Sequence, residues 1–315
     1  MSTLTQLEYL LAVDSERHFG KAAAACHVSQ PSLSAQIQKL EDELGLVIFD
    51  RSRKPILATE AGKAVINQAK VVLREHKKLK VIADQTAGVP QGDFQLAVIP
   101  TLASYVIPLF IGAFGETFPH VNLGVHEHKT EDIVRMLHTD ELDAGLLVTP
   151  LNDDSLIERH LYYEPFYCYL NSRHPLQEKT QIAEDDLAYD DLWLLSEGHC
   201  FRSQVLRICA KGEKKGVFPN IRFEGGSLDT LIKLVRNNAG FTLLPQMAVD
   251  GLSDLEIKTH IKTFSDPVPT REVSLVYNRT FLKETIINAL EKCIIEHLPD
   301  HIRSLKRQQV NVVDI

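Results

Sequence analysis

Four consecutive alanines, Ala22–Ala25, followed closely by Val28-Ser29-Gln30-Pro31, restrict the start of this chain more than any other stretch. A helix surfaced with alanine lets a second helix approach closely. Val28 is placed to plug the turn between them, and Ser29 to cap the next helix, whose first turn accepts Pro31. On that second helix Leu33, Ile37, Leu40 and Leu44 recur at spacings of four, three and four, which gives one buried face. Two short helices crossed around such a turn are a helix-turn-helix, whose second helix enters the DNA major groove by its N-terminal end. That end is left with Gln30, Ser32, Ser34 and Gln36, with Lys39 further along. Gln30 and Gln36 are the expected readers of base edges, while Ser29, Ser32 and Lys39 suit phosphates. Beyond them Arg51-Ser52-Arg53-Lys54 forms a basic cluster in an expected hairpin, where Arg51 and Arg53 suit the DNA backbone or minor groove. Each polar residue taken singly is ordinary solvated surface; together they point to double-stranded DNA. Cys26, on the alanine-rich helix, reads as a small buried hydrophobe.

Charge agrees with that division. Residues 1–90 carry 12 basic and 10 acidic side chains, against 34 and 42 in all 315 residues, so the remainder is acidic and repels phosphate. No signal peptide and no bilayer-spanning apolar run is visible, so a cytoplasmic protein without membrane contact is expected. Five cysteines are too few, and odd in number, for a disulfide scaffold.

The domains expected are a winged helix-turn-helix over 1–58, a linker and dimerisation helix over 59–87, a regulatory domain over 92–302, and a tail over 303–315. In the helix, Val65, Ile66, Ala69, Val72, Leu73, Leu79, Ile82 and Ala83 make one apolar stripe. Its length, about 40 Å at 1.5 Å per residue, exceeds what a small domain needs and asks for a second chain. Folding back on its own domain is the lesser reading. After the hinge Gly88-Val89-Pro90-Gln91-Gly92, strand and helix patterns alternate: Phe94–Ile99, Ala103–Phe114, Leu123–His128, Glu131–His138, Ala144–Val148, and later Leu192–Leu195, Leu228–Asn237, Phe241–Leu244, Ser274–Tyr277 and Lys283–His297. The fold class expected is α/β, a parallel sheet covered by helices in two lobes with a cleft between them. Lobe I covers about 92–165 and 265–302, and lobe II about 166–264. His126 and His128 alternate with Glu127 along a strand, which separates them across its faces and argues against a metal.

Residues 19–45, notably Ser29-Gln30-Pro31-Ser32-Leu33-Ser34 and Leu40-Glu41-Asp42-Glu43-Leu44-Gly45, resemble the helix-turn-helix of LysR-type transcriptional regulators. Gly198-His199-Cys200, with Cys209 nine positions on, resembles the peroxide-sensing members. So do Ile99-Pro100-Thr101, His126-Glu127 with Thr130, Gly226–Leu231 and Gly240–Pro245. The resemblance implies two periplasmic-binding-protein-like lobes and a homo-oligomer, a dimer of dimers. It implies an activator that engages promoter DNA and RNA polymerase, with hydrogen peroxide as signal, a thiol reductant to reset it and no cofactor.

Cytosolic cysteines are most often inert packing residues, the reading kept for Cys168 and Cys293. His199 and Arg202 flank Cys200 with groups able to lower its pKa, although Arg202 serves equally well in domain packing. By resemblance Cys200 becomes a sulfenic acid that Cys209 converts to a disulfide. Thr101, Thr130, His199, Arg202 and Arg271 hold the peroxide and the thiolate. Read from the residues alone, Thr101 caps a helix and Arg271 pairs at the surface. Gln204 to Lys211 reads as helix, and if helix joins the two cysteines they lie about 13 Å apart. A disulfide needs Cα atoms within roughly 4.4–6.8 Å, so the segment has to move. The rival readings are a LysR-type regulator of a small organic effector bound in the cleft, and a thiol peroxidase. The latter leaves the helix-turn-helix and the linker unexplained, so no enzyme is expected.

Overall fold

The computed structural model describes residues 2–85, 89–187, 191–209, 223, 225–278 and 283–315. The chain divides into two compact units, Met1–Ala87 and Gly88–Ile315.

The first unit contains α1 (Leu4–Glu16), α2 (Phe19–Ala25), α3 (Gln30–Leu44), a wing of β1 (Phe49–Asp50) and β2 (Leu57–Ala58), and α4 (Glu60–Gln85). Ser29 caps α3, its hydroxyl accepting from the Ser32 amide at 3.3 Å, and Gly45 ends that helix at a φ of 68°. Ala22 and Ala23 pack with Leu33, Ile37, Leu40, Ile48 and Phe49 in one core. Leu44, expected on the buried face, is 43% exposed because the helix stops there. Ile66 and Ala69 of α4 join this core, while Val72 and Leu79 of the same stripe stay 38% and 64% exposed. The side chains of Ile82 and Ala83 lie outside the described residues. Gly62 is where α4 meets the wing: a Cβ there would fall 2.1 Å from the Ile48 carbonyl oxygen.

One buried carboxylate fastens the wing. Glu41 accepts from the Ile48 amide at 2.7 Å, the Phe49 amide at 3.1 Å and the Arg51 guanidinium at 2.7 Å. Arg51 also lies over the Phe19 ring, so this expected DNA contact is engaged within its own unit.

The second unit runs β3 (Gly92–Val98), α5 (Pro100–Thr117), β4 (Val121–Glu127), α6 (Thr130–His138), β5 (Ala144–Thr149), β6 (Leu156–Leu170), β7 (Gln181–Ile182), α7 (Cys200–Ile208), α8 (Leu228–Asn237), β8 (Phe241–Pro245), α9 (Gln246–Asp250), α10 (Asp254–His260), β9 (Ile261–Phe264), β10 (Pro269–Asn278), α11 (Glu284–His297), α12 (Asp300–Arg303) and β11 (Asn311–Val312). The strands follow the order β4-β3-β5-β10-β6-β9-β7, with β8 beside β6 and β11 beside β10. The sheet is mixed rather than parallel. β3 runs parallel to β4 and β5, but β10 runs antiparallel to both β5 and β6. The sequence pattern conceals this, because a strand buried on both faces reads the same in either direction.

β6 is the spine: residues up to Pro165 pair with β10, and from Phe166 onward it pairs with β8. Two cores lie along it. One gathers Phe94–Phe114, Ala144–Val148, Val273–Tyr277 and Ile286–Ile302 residues; the other gathers residues from Phe166 to Phe264. Leu192–Leu195 is not a strand, and only Leu192 forms a bridge, to Phe241. The segment expected as a plain tail is built in, since β11 lies parallel to β10 at Pro269 and Thr270.

Removing the Glu41 carboxylate strands two buried amides and the Arg51 charge. Glu41→Ala is expected to destabilise the first unit by about 3 kcal/mol, read from its thermal unfolding.

Candidate functional site

Cys200 is the first residue of α7 and Cys209 its C-cap, nine positions on, so helix geometry puts their Cα atoms about 13 Å apart. Both are free and buried, yet in different cores: Cys200 packs in the first, while Phe201, Val205, Ile208 and Cys209 pack in the second. The helix that carries both cysteines therefore straddles the two cores.

α7 begins at Cys200 and α6 beside it at Thr130, while α5 begins next to Thr101, the Arg271 partner; none of these three has a side-chain cap on its first amides, nor does α8 at Ser227. By contrast Thr3, Ser29 and Ser253 cap α1, α3 and α10. Open amides and aligned helix dipoles favour an anion in their midst. The N-terminal residues of α5 and α8 line a cavity of about 120 Å³, with Pro100, Thr101, Ser104, Glu127, Ser227 and Asp229 in its wall.

Beneath the thiol lies a buried ionic cluster. Arg271, 1% exposed, donates to Glu164 through Nε at 2.9 Å and Nη2 at 2.7 Å. Its Nη1 reaches the Thr101 hydroxyl at 3.2 Å and its Nη2 the Thr101 carbonyl at 3.2 Å. Glu164 spends its other oxygen on the Met247 amide, at 2.9 Å. The guanidinium stands 5.9 Å from the centre of the Phe201 ring, next to Cys200 in the chain. Thr101 is thus no cap and Arg271 no surface partner. Glu164 escaped the sequence reading altogether; only the need of a buried Arg271 for a counter-charge could have signalled it.

Burial pushes the Cys200 thiol up, while the Thr130 hydroxyl, the Arg271 charge and the backbone amides opening α7 pull it down. The Thr130 hydroxyl is buried with no hydrogen bond of good geometry, so it remains free to donate to a thiolate or an oxygen beside it. His199 is held below the usual imidazole range by burial and by the Lys129 charge, which keeps it neutral near pH 7. Of the two readings of Arg202, the hydrogen bonding agrees with packing. Arg202 donates to the Leu195 carbonyl at 2.8 Å, and the guanidinium that acts on Cys200 is that of Arg271. Burial, then Glu184 and Asp191, push the Cys209 thiol far up, so it is no competing nucleophile. Cys168 is fully buried in the same core as Cys209, and Cys293 is buried in the first.

In the first unit Ser29, Gln30, Ser32, Gln36 and Lys39 lie exposed along α3, and Ser34 is half-buried. Gln6 donates to the Gln36 amide oxygen at 3.1 Å and so orients it. Arg53 pairs with Asp50 at 3.2 Å. His126 faces Gln95 at 2.8 Å.

The chain matches two families: the bacterial regulatory helix-turn-helix protein of the lysR family over residues 4–63, and the LysR substrate binding domain over 87–299. It is 34% identical over 304 residues to a hydrogen peroxide-inducible genes activator of Pectobacterium carotovorum subsp. carotovorum, covering 96% of this chain and 99% of the relative. It is also 34% identical to the DNA-binding transcriptional dual regulator OxyR of Escherichia coli (strain K12), over 98% of this chain and 99% of that one. Full-length OxyR of Pseudomonas aeruginosa, in a cysteine-to-aspartate variant, superposes with a TM-score of 0.75 at 32% identity and 98% coverage of both chains. A hydrogen peroxide-bound cysteine-to-serine mutant of Corynebacterium glutamicum OxyR gives 0.61 at 26% identity, covering 93% of this chain and 92% of the other.

Because burial holds the Cys200 thiol above its ordinary pKa, thiolate is scarce at neutral pH. Alkylation of Cys200 should therefore keep rising through the alkaline range. Arg271→Gln removes a charge that favours thiolate and should shift that profile to still higher pH, measured by mass mapping of iodoacetamide-labelled protein.

Proposed function

Since the chain belongs to the LysR family of bacterial regulators, we propose that it is a peroxide-responsive, DNA-binding transcriptional regulator in which Cys200 senses and Cys209 resolves. The observation that carries the reading is Cys200 at the open end of α7 beside Thr130 and Arg271, with Cys209 at the far end of the same helix. The peroxide-inducible activators to which the chain is similar support it.

The chemistry balances with peroxide alone as oxidant. The Cys200 thiolate attacks one peroxide oxygen; an S–O bond forms as the O–O bond breaks, and the departing hydroxide takes a proton to leave as water. The unbonded Thr130 hydroxyl and the Arg271 charge, which both act on Cys200, are suited to stabilise that developing charge. Neutral His199 suits proton transfer rather than charge stabilisation. Cys209 then loses its proton and attacks the sulfenic sulfur, forming the S–S bond and releasing a second water. Two thiols supply two electrons, and a thiol reductant returns them.

Closure cannot happen with α7 intact, because helix geometry holds the two Cα atoms about 13 Å apart and a disulfide needs roughly 4.4–6.8 Å between them. Either Cys200 leaves the first core or Cys209 leaves the second. The segment packed on α7 feels that change. Gln204, fully buried between the cysteines, donates to the Val313 carbonyl at 2.7 Å, and Arg207 donates to the Ile315 carbonyl at 2.9 Å. Oxidation thereby selects a second arrangement of the regulatory unit, which is a switch by geometry.

The first unit supplies the DNA contacts, through Ser29, Gln30, Ser32, Ser34, Gln36 and Lys39 on α3, with Arg53 in the wing. The apolar stripe left open on α4 at Val72 and Leu79 suits a second copy of the chain, and a dimer of dimers would read an extended promoter for RNA polymerase.

Near-stoichiometric peroxide should yield a Cys200–Cys209 disulfide by peptide mapping, and replacing both with Ser should abolish the change in promoter binding; an intact response would return the cleft effector to favour. Hydrogen exchange at the Asn311 and Val313 amides should accelerate about tenfold on oxidation, as their bonds to the Val268 and Thr270 carbonyls are lost along with the Gln204 contact to Val313.

A further inference from the structure

Lys129 precedes α6 and enters the chemistry above only through its charge on His199, yet it also touches both Glu197 and Gly198 ahead of the sensor helix. Its ammonium donates to the Glu197 carbonyl at 2.8 Å. Its stem lies against Gly198, where a Cβ would sit 3.0 Å from Cδ and 3.1 Å from Nζ. Gly198 adopts a φ of 85°, so the turn itself requires glycine, and the lysine occupies the space its missing side chain leaves. The same charge helps keep His199 neutral. The next residue, Thr130, is the one whose hydroxyl faces Cys200.

The contact also joins different parts of the regulatory unit. α6 is anchored in the first core by Ile133 and Leu137, whereas Leu195, just before the Ser196–Gly198 turn, belongs to the second. Lys129 thus ties the turn ahead of the sensor helix to the element that holds Thr130. Ser196, Glu197, Gly225 and Gly226 line a cavity of about 360 Å³ beside it.

We propose that Lys129 is a positioning residue that latches the Glu197–Gly198 turn, keeping Cys200 against Thr130 for peroxide attack and resisting the movement that closes the disulfide. The proposal rests on the redox reading given above. A latch of this kind acts on the two steps in opposite directions. Holding the turn lets Thr130 and Arg271 stabilise the thiolate, which helps attack. The same hold must be released before Cys200 travels toward Cys209, which slows closure. A merely structural lysine would affect both steps in the same sense, or neither.

The test is stopped-flow oxidation of the full reduced chain as wild type, Lys129→Met and Lys129→Arg, with peptide mapping of each product. The phase whose rate scales with peroxide reports attack, and the phase independent of peroxide reports closure. Lys129→Met should slow attack and speed closure, each about fivefold, the effect expected of one solvent-facing charged contact. Lys129→Arg, which keeps the charge and the donor, should restore both rates to within about twofold of wild type. Unchanged rates in Lys129→Met, or both rates moving the same way, would overturn the latch while leaving the redox reading in place. A wild-type chain that forms no Cys200–Cys209 bond overturns the redox reading and the latch with it.

Discussion

Helix α7 sets two requirements that cannot be met together. As a helix it holds the Cα atoms of Cys200 and Cys209 about 13 Å apart, with the side chains in separate hydrophobic cores. As a disulfide loop it would have to bring the same residues within roughly 6.8 Å. The chain is continuous and its peptide geometry rigid, so no small adjustment reconciles them. The packing of Phe201, Val205 and Ile208, the bonds from Gln204 and Arg207, and the turn before Cys200 all depend on which requirement holds. In the switch proposed above, a covalent bond formed in one place would thereby be converted into a rearrangement of the unit.

Around that helix the site reconciles burial with reactivity. A cysteine in a hydrophobic core is normally a poor nucleophile, because the anion loses its hydration. Here burial raises the Cys200 pKa, and several smaller influences act against it: the Arg271 charge, the Thr130 hydroxyl and the amides at the start of α7. The Arg271 guanidinium is itself buried and is tolerable there because Glu164, whose other oxygen accepts from the Met247 amide, and Thr101 accept its hydrogen bonds. The cluster acts on Cys200 from β6 and β10, the two long strands that pair at the middle of the sheet.

The first unit applies the same principle at a different place. Glu41, inside the motif Leu40–Gly45, is a buried carboxylate whose partners are two wing amides and Arg51. An arginine that the basic cluster offers to DNA is thus partly committed to holding the wing on α3. Gln36 is similarly steered by Gln6. In both, a neighbour in space sets the direction of a polar side chain that the sequence presents as free.

Much was readable from the chain alone, and for a physical reason: local rules of capping, periodicity and turn chemistry act over a few residues. The alanine helix, the Ser29 cap with Pro31, the stripe of α4 and the strand–helix alternation after Gly92 are all of this kind. The pair Cys200 and Cys209, with Thr101, Thr130, His199 and Arg271, was legible through resemblance rather than through spacing. What only the tertiary structure decided depends on residues far apart in sequence meeting in space. The mixed direction of the sheet, the Glu164 counter-charge 107 residues from Arg271, and the turning of Arg202 onto Leu195 left no local signature. Nor did the docking of residues 311–315 on β10 and α7, or the reach of Lys129 to Glu197 across 68 residues. Hydrogen-bond satisfaction in a buried site is a global condition, so it appears only once the chain has folded.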